Sequence, residues 1–259
     1  MNLTNFRAKT KMTYISPRAV IEDNVYIGRN TAILAGVHLK RGTVVEDNCI
    51  VGKPSRVQMN RFVELVRSTP ERLEYEAYDA VIDTPTIIGE NVLLHSSTII
   101  YSGCSLDEFV ITEDNVVIRW DTRVGASTKL MVGGFIGAYI TIGKFSRVGG
   151  LLGNRTTIGD YVTTFGNLLH SYKQYGANRI EPAPIVEDYV MIGYDSNVIG
   201  GVTIGKRSYV AAGATVSKDV PPDTVVTGQN QHRPMDAWQG SLRDDYLASF
   251  PDDPLKDES

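Results

Sequence analysis

The 259-residue sequence has few cysteines and no long apolar run, and both shortages exclude classes of protein. Neither Cys49 nor Cys104 has a close Cys or His neighbour, which argues against a zinc cluster and against a disulfide framework. No apolar run approaches the roughly 20 residues that cross a bilayer, and residues 1–14 lack the apolar core of a signal peptide. We therefore expect a cytoplasmic protein without a membrane partner.

Basic residues are also in short supply. The chain has 26 Lys and Arg against 30 Asp and Glu, a net charge of −4, which does not suit a protein that neutralises a nucleic-acid backbone. Hydrophobic residues make up 42% and charged residues 22%, as in an ordinary globular protein with a sizeable core. Nucleic acid is excluded as a partner by this reasoning, whereas a small anionic ligand is not.

A repeat of six residues dominates the chain. From Ile15 the sequence divides without remainder into ISPRAV, IEDNVY, IGRNTA, ILAGVH, LKRGTV, VEDNCI and VGKPSR, with an aliphatic residue first and a small or β-branched residue fifth. The pattern returns at Ile88 and again at Val186, and Thr112 breaks the aliphatic rule. This period fits neither an amphipathic helix nor an alternating strand. It predicts a parallel β-helix, in which each repeat is a short strand and a turn, with the first position inward.

The repeat resembles that of the hexapeptide-repeat transferase superfamily over about residues 15–228. The resemblance implies an all-β, left-handed parallel β-helix with three strands per coil, an exception to the usual right-handed crossover. We divide the chain into an N-terminal segment (1–14), the β-helix (15–228) and a C-terminal helix and tail (229–259). Insertions at about 53–86 and 170–185 interrupt the repeat. The first reads as a helix with an apolar face (Val57, Phe62, Leu65, Val66) and a basic one.

The C-terminal coils carry the most specific resemblance. Residues 185–231 are similar to the signature of coenzyme A-dependent hexapeptide acyltransferases and follow a loop that begins with His170. The resemblance implies an acyl-coenzyme A co-substrate, acetyl-coenzyme A by default, in a groove between neighbouring β-helices of a homotrimer. Lys218 then lies near the coenzyme phosphates, and four small residues let the pantetheine arm approach the backbone: Gly193, Ala211, Ala212 and Gly213. These four also suit turns and corners of the fold itself.

His170 matches the family's catalytic histidine. An imidazole can accept a proton from an attacking amine or hydroxyl near neutral pH, which acyl transfer from a thioester requires. The resemblance therefore implies that His170 is the general base. Asn167 either orients the acceptor and stabilises the oxyanion or is an ordinary turn residue. His95 is expected to face outward from an earlier coil, where it could line the acceptor end of the groove.

The insertion suggests the acceptor. Arg56 and Arg61, with Lys53 and Arg67, could hold a diphosphate through bidentate contacts, which favours the amino group of a nucleotide-linked sugar. Tyr172 of the second loop could touch the acceptor, and Tyr101 or Trp120 could stack on a base. The alternatives are O-acetylation of a sugar or small-molecule hydroxyl, a non-catalytic scaffold, and a γ-carbonic-anhydrase-like protein. The last needs three histidines per zinc, and this chain has four histidines without close spacing, so no metal is expected.

Overall fold

A computed structural model describes residues 13–69, 71, 75–171 and 181–228. In this part of the chain, 29 short strands form three parallel sheets, and successive strands join successive sheets. Three strands and three turns therefore make one coil, and residues 18 apart become neighbours, as in the pairing of Ile33 with Val51. This is the left-handed parallel β-helix that the repeat predicts.

Sheet A has ten strands: β1 (Tyr14–Ile15), β4 (Ala32–Ile33), β7 (Ile50–Lys53), β10 (Ile99–Tyr101), β13 (Val117–Ile118), β16 (Phe135–Ile136), β19 (Leu151–Leu152), β22 (Asn167–Leu169), β25 (Asn197–Ile199) and β28 (Thr215–Val216). Sheet B has nine: β2 (Val20–Ile21), β5 (Val37–Leu39), β8 (Thr86–Ile88), β11 (Ser105–Leu106), β14 (Arg123–Val124), β17 (Thr141–Ile142), β20 (Thr157–Ile158), β23 (Ile185–Val186) and β26 (Thr203–Ile204). Sheet C has ten: β3 (Tyr26–Ile27), β6 (Val44–Val45), β9 (Leu93–Leu94), β12 (Ile111–Thr112), β15 (Lys129–Leu130), β18 (Arg147–Val148), β21 (Thr163–Thr164), β24 (Met191–Ile192), β27 (Tyr209–Val210) and β29 (Val225–Val226).

The core is the column of inward side chains that the repeat places first in each unit. From Ile33 to Val216 these side chains are almost fully buried, and each aliphatic one is worth roughly 1.5–3 kcal/mol of transfer free energy. Ile15 and Ile21 keep 44% and 36% exposure because they belong to the first described coil, which has a described neighbour on one side alone. Packing between coils, and not within one, therefore builds this core.

The turns between strands use a left-handed backbone conformation. Residues with φ between about 50° and 90° recur every six positions through most of the helix, as at Asn24, Asn30, Gly36, Gly42 and Asn48. Gly and Asn adopt this left-handed region at little or no cost, which explains why they recur at this position of the repeat. Bulky residues occupy the same position in later coils: Phe109, Tyr139, Phe145, Arg155, Tyr161, Tyr189 and Arg207.

The first insertion contains α1 (Arg56–Ser68) and α2 (Tyr75–Ala80). Its predicted apolar face is not buried: Val57 and Val66 are 69% and 49% exposed. The buried residue of α1 is Gln58, whose amide donates to Asp83 Oδ1 and Thr84 Oγ1 at 2.8 Å each and accepts from Ser55 N and Ser102 Oγ. Gln58 therefore joins α1 to the coil through an amide whose oxygen and nitrogen each make two hydrogen bonds. Neither helix of the described residues is long and apolar enough to cross a membrane.

The two cysteines are buried corner residues, as their repeat position predicts. Burial raises the pKa of Cys49 to about 11 and that of Cys104 to about 12. Both thiols donate to backbone carbonyls of a neighbouring coil, that of His95 at 3.3 Å and that of Arg119 at 3.1 Å. They contribute packing and remain protonated near neutral pH. The predicted C-terminal helix and tail, residues 229–259, lie outside the described residues.

Two inward threonines differ in a way that stability measurements can detect. The Thr112 hydroxyl is 2.9 Å from that of Thr98, whereas the buried Thr164 hydroxyl has no hydrogen-bond partner within the described ranges. We expect Thr164→Val to raise the free energy of unfolding by about 1 kcal/mol, since it removes an unsatisfied polar group at constant shape. Thr112→Val should lower it by about as much, because Thr98 loses its close partner.

Thermal unfolding followed by circular dichroism provides the comparison, with each variant serving as the control for the other. Shifts of the same sign in both variants would contradict the assignment of these two hydroxyl groups.

Candidate functional site

Both insertions leave the β-helix at the same edge. We call the turns between sheets A and B the AB corner: the first insertion lies between β7 and β8, and the second between β22 and β23. Lys218 follows β28 at this corner, and Val220 then bridges to Ile204 of sheet B. The corner therefore combines His170, the basic insertion and the predicted phosphate-binding lysine along one line.

His170 follows β22 directly and is half-buried. Its Nδ1 lies 3.3 Å from the carbonyl oxygen of Pro182, on the returning arm of the loop. The ring rests over Gly153 of the preceding coil, where a Cβ would come within 3.0 Å of Cδ2 and 3.2 Å of Nε2. The absence of a side chain at position 153 thus creates the space that the imidazole fills.

Asn167 lies on sheet A, in the strand that leads to His170. Its Oδ1 accepts from Leu151 N and its Nδ2 donates to Asn197 Oδ1, both at 3.2 Å. This contact to two neighbouring coils is an asparagine ladder. The ladder accounts for Asn167 structurally, and its role toward an acceptor stays a prediction.

The residues predicted to approach pantetheine lie at a different edge. We call the turns between sheets C and A the CA corner, which holds Gly193, Ala211, Ala212 and Gly213. A Cβ on Gly193 would come within 2.6 Å of Ala212 N, so Gly193 is required for close stacking of turns. Gly213 faces open space, and its φ of 71° explains the glycine. Coenzyme contacts of these four residues stay predictions.

The CA corner has a feature that the repeat reveals only as a slip of register. Two of its turns are two residues long where others have four: Gly149–Gly150 links β18 to β19, and Phe165–Gly166 links β21 to β22. The corner therefore protrudes less beside the strand that leads to His170. Phe165 also stacks on Tyr194 with ring centroids 4.4 Å apart, a pair that sequence reasoning missed.

His95 also lies at the CA corner, several coils before Gly193. Its Nδ1 is 3.5 Å from Glu46 Oε2, and one carboxylate oxygen of Asp114 lies within 4.8 Å of these ligand atoms. Glu46 Oε2 also accepts from Ser96 N at 3.0 Å and Ser96 Oγ at 2.9 Å. One imidazole and two carboxylates are groups that ligate divalent metals, and in this structure Glu46 is held by the hydrogen bonds from Ser96. The structure separates His95 from His170 by corner as well as by coil.

The acceptor residues of the insertion have unequal surroundings. Arg56 is exposed, whereas Arg61 forms an ion pair with Asp83 at 2.8 Å. Hydrogen bonds from Gln58 and from Arg61 lower the pKa of Asp83 to about 2. Arg61 is thus engaged in holding the insertion together. Tyr172 lies outside the described residues.

A set of cation–aromatic contacts lies along the AB corner between the first insertion and His170. Lys53 lies 5.2 Å from the ring centroid of Tyr101, Arg119 lies 4.0 Å from that of Trp120, and Arg155 lies 4.7 Å from that of Tyr139. Sequence reasoning named Tyr101 and Trp120 and missed Arg119, Tyr139 and Arg155. Their common signal is their place in the turn after a sheet A strand in successive coils.

These features define a hexapeptide-repeat β-helix with a histidine-bearing loop at one corner. Two family models match the chain: "bacterial transferase hexapeptide (six repeats)" over residues 183–218 and "hexapeptide repeat of succinyl-transferase" over residues 18–53. Over these two segments the chain is similar to hexapeptide-repeat transferases.

Relatives include the bifunctional protein GlmU of Alkaliphilus oremlandii, 28% identical over 246 residues, which cover 88% of this chain and 43% of that protein. GlmU of Listeria monocytogenes is 28% identical over 83% of this chain and 40% of that protein. The chain thus spans about two fifths of the length of these curated relatives. Among solved structures, LpxA from Acinetobacter baumannii is 16% identical, with a TM-score of 0.40 over 92% of this chain and 82% of that one.

The position of the His170 ring can be tested through Gly153. Gly153→Ala should displace the imidazole, because the new methyl group would occupy the position of the ring edge. We expect the imidazole nitrogen and carbon-bound proton signals of His170 to shift in NMR spectra, with those of the other three histidines unchanged. Signal assignment uses His170→Asn.

Gly134→Ala is the matched control. Its Cβ would meet a carbonyl oxygen, that of Met131, at the same 3.0 Å, at a corner that does not contact His170. Equal His170 shifts in the two variants, or none in Gly153→Ala, would refute the placement of the ring.

Proposed function

We propose that this protein transfers an acyl group, acetyl by default, from coenzyme A to the amino group of a nucleotide-linked sugar. The observation that carries the proposal is the setting of His170. It begins the loop at the AB corner, half-buried, over a glycine, and directly before the coils that match the transferase hexapeptide model. A titratable group at a break in an otherwise regular repeat is where the fold can hold chemistry.

The chemistry assigned to His170 is proton transfer. The acceptor nitrogen attacks the thioester carbonyl, and the imidazole accepts the proton that the nitrogen loses. The carbon–sulfur bond then breaks, and the thiolate of coenzyme A takes a proton from the imidazolium, so the base is regenerated. Nδ1 lies 3.3 Å from the Pro182 carbonyl oxygen, and we assign the proton transfer to Nε2, which lies on the side of Gly153.

We propose that the working form is a homotrimer with sites between subunits. His170 and Lys218 lie at the AB corner, whereas Gly193 and Ala212 lie at the CA corner, on the opposite side of sheet A. A site that uses both sets is completed when the AB corner of one subunit faces the CA corner of the next. Outward residues in the middle coils of sheet A support association, since they are apolar: Ile99, Val117, Phe135 and Leu151.

Incubation with acetyl-coenzyme A and a panel of nucleotide-linked amino sugars tests the activity directly. The expected result is release of free thiol together with a product heavier by one acetyl group. Absence of saturable acetyl-coenzyme A binding would reject the proposed function and favour a non-catalytic scaffold.

His170→Asn should lower kcat by about 10²- to 10⁴-fold, because asparagine keeps polarity but has no basic nitrogen. Coenzyme affinity should stay nearly the same, and the ionisation seen in the wild-type pH–rate profile should disappear. Stopped-flow or steady-state thiol release across the pH range measures both.

Lys218→Ala is the companion variant. It should weaken coenzyme binding several-fold at low salt, because an exposed charge contact is worth about 1 kcal/mol. The pH–rate profile should stay as in the wild type. A His170 variant with wild-type turnover and the same profile would remove His170 from the reaction. In that case His95 would become the next candidate.

Mixed oligomers test the shared site. His170→Asn disables the AB corner, and Ala212→Trp obstructs the CA corner at an exposed position that tolerates a larger side chain. Each homo-oligomer should be inactive. Trimers that contain both variants should recover about a third of wild-type activity, because one of the three sites in each mixed trimer pairs two intact corners.

Purification through two different affinity tags selects the mixed species, and mass measurement by light scattering reports their size. Activity in a preparation of either variant alone, or activity in a monomer, would contradict a site shared between subunits.

A further inference from the structure

The cation–aromatic contacts of the AB corner form a continuous stripe that ends at His170. Each residue follows a sheet A strand: Tyr101 ends β10, Arg119 and Trp120 follow β13, Tyr139 follows β16 and Arg155 follows β19. These strands pair in this order, and β22, which leads to His170, is next. The stripe therefore runs along the helix axis, one coil at a time.

The two guanidinium groups in the stripe, those of Arg119 and Arg155, lie over aromatic rings and have no carboxylate partner among the described residues. Arg119 lies over Trp120 and 6.0 Å from the Phe135 centroid, and Arg155 lies over Tyr139. Neither has a carboxylate within ion-pair distance in the described ranges, unlike Arg61 or Arg207. A stacked guanidinium keeps its in-plane N–H donors, the geometry that binds phosphate in bidentate fashion.

Two stripe residues have a backbone conformation that disfavours their side chains. Tyr139 and Arg155 have φ values of 60° and 66°, whereas glycine stands at the corresponding turns of earlier coils, Gly36 and Gly103. Both side chains are exposed, so burial does not compensate. The same conformation occurs at Phe145 and Tyr161 of another corner, so the exposed contact of Arg155 with Tyr139, and not the backbone strain, is what distinguishes the stripe.

The length of the stripe matches one kind of ligand. The coil of Trp120 and that of His170 are three strand steps apart, roughly 14 Å at about 4.8 Å per step. An extended ribosyl diphosphate can span such a distance. The stripe approaches His170 from the N-terminal coils, whereas Lys218 and Gly193 approach from the C-terminal ones, so two ligands can reach the imidazole from opposite ends.

We infer that the stripe binds the nucleoside diphosphate part of the acceptor, with the base against Tyr101 and Trp120, the phosphates on Arg119 and Arg155, and the sugar at His170. The assignment of the sugar rests on the proposed function, while nucleotide binding is measured independently of it. Asp121 is the acidic residue of this corner beside Trp120. Its carboxylate packs against Gly103, and burial raises its pKa.

The test uses the full chain and isothermal titration with uridine, thymidine and guanosine diphosphates, with inorganic pyrophosphate as a probe without a base. We expect at least one nucleoside diphosphate to bind, and pyrophosphate to bind more weakly. Arg119→Ala and Arg155→Ala should each raise its Kd by about tenfold or more, as for loss of a bidentate charged contact. Binding should also quench the fluorescence of Trp120, and Trp120→Phe should abolish that quenching.

Arg123→Ala is the matched control. Arg123 is exposed on sheet B, three residues after Trp120, and has no carboxylate partner in the same described ranges. Its Kd should stay within about twofold of wild type. For the aromatic member, Tyr139→Ala should weaken binding and Tyr161→Ala, at a different corner, should not.

Acetyl-coenzyme A binding, measured on the same variants, separates the two proposals. Binding of acetyl-coenzyme A without any nucleoside diphosphate would overturn the stripe and leave the transferase proposal standing. Loss of acetyl-coenzyme A affinity in Arg119→Ala and Arg155→Ala, or equal binding of pyrophosphate and nucleotides, would also overturn it. Nucleotide binding that requires both arginines, in a protein that does not bind acetyl-coenzyme A, would support the stripe and reject the proposed function.

Discussion

The stacking of one coil on the next is the constraint on which the rest of this molecule depends. A two-residue strand cannot bury its inward side chain within its own coil, so each aliphatic residue needs the corresponding residue of both neighbours, as Ile33 has in Ile15 and Val51. A polar side chain at an inward position avoids an energetic cost when a neighbouring side chain forms a hydrogen bond with it. Thr112 does so by pairing its hydroxyl with that of Thr98 inside the core.

The same constraint determines where function can be added. Residues inserted into a strand would break the register of every later coil, whereas residues inserted at a corner leave the strands on either side paired. Both insertions follow this rule, and both use the AB corner, so β7 and β8 still join their sheets across the first one and β22 and β23 across the second. The AB corner is thereby a long surface that carries both insertions and His170 without loss of the core.

The fold was predictable because its signal lies in residues six apart, and the sequence displays that spacing directly. The contacts of the candidate site were harder to predict from the sequence. Gln58 reads as a polar surface residue of an amphipathic helix, and its burial depends on Asp83 and Ser102, which are far along the chain. The partnership of Arg155 with Tyr139 depends on a turn shortened by two residues, because that slip decides which turns share a corner. The six-residue pattern therefore predicts the strands, whereas the side-chain contacts at the corners depend on insertions and shortened turns that break the pattern.

A second corner shows how the fold accommodates side chains that its turns disfavour. Between sheets B and C, Phe145, Tyr161 and Tyr189 all have φ near 55–60°, a conformation that costs roughly 1–2 kcal/mol for each such residue. Their rings stack with centroids 5.0 Å apart, and each stacked pair stabilises the fold by about 0.5–1.5 kcal/mol. Two contacts among three strained residues offset only part of the cost. Stacking in register therefore lets a β-helix tolerate aromatic columns along its corners, and the stability of these columns depends on neighbouring coils in the same way as the core does.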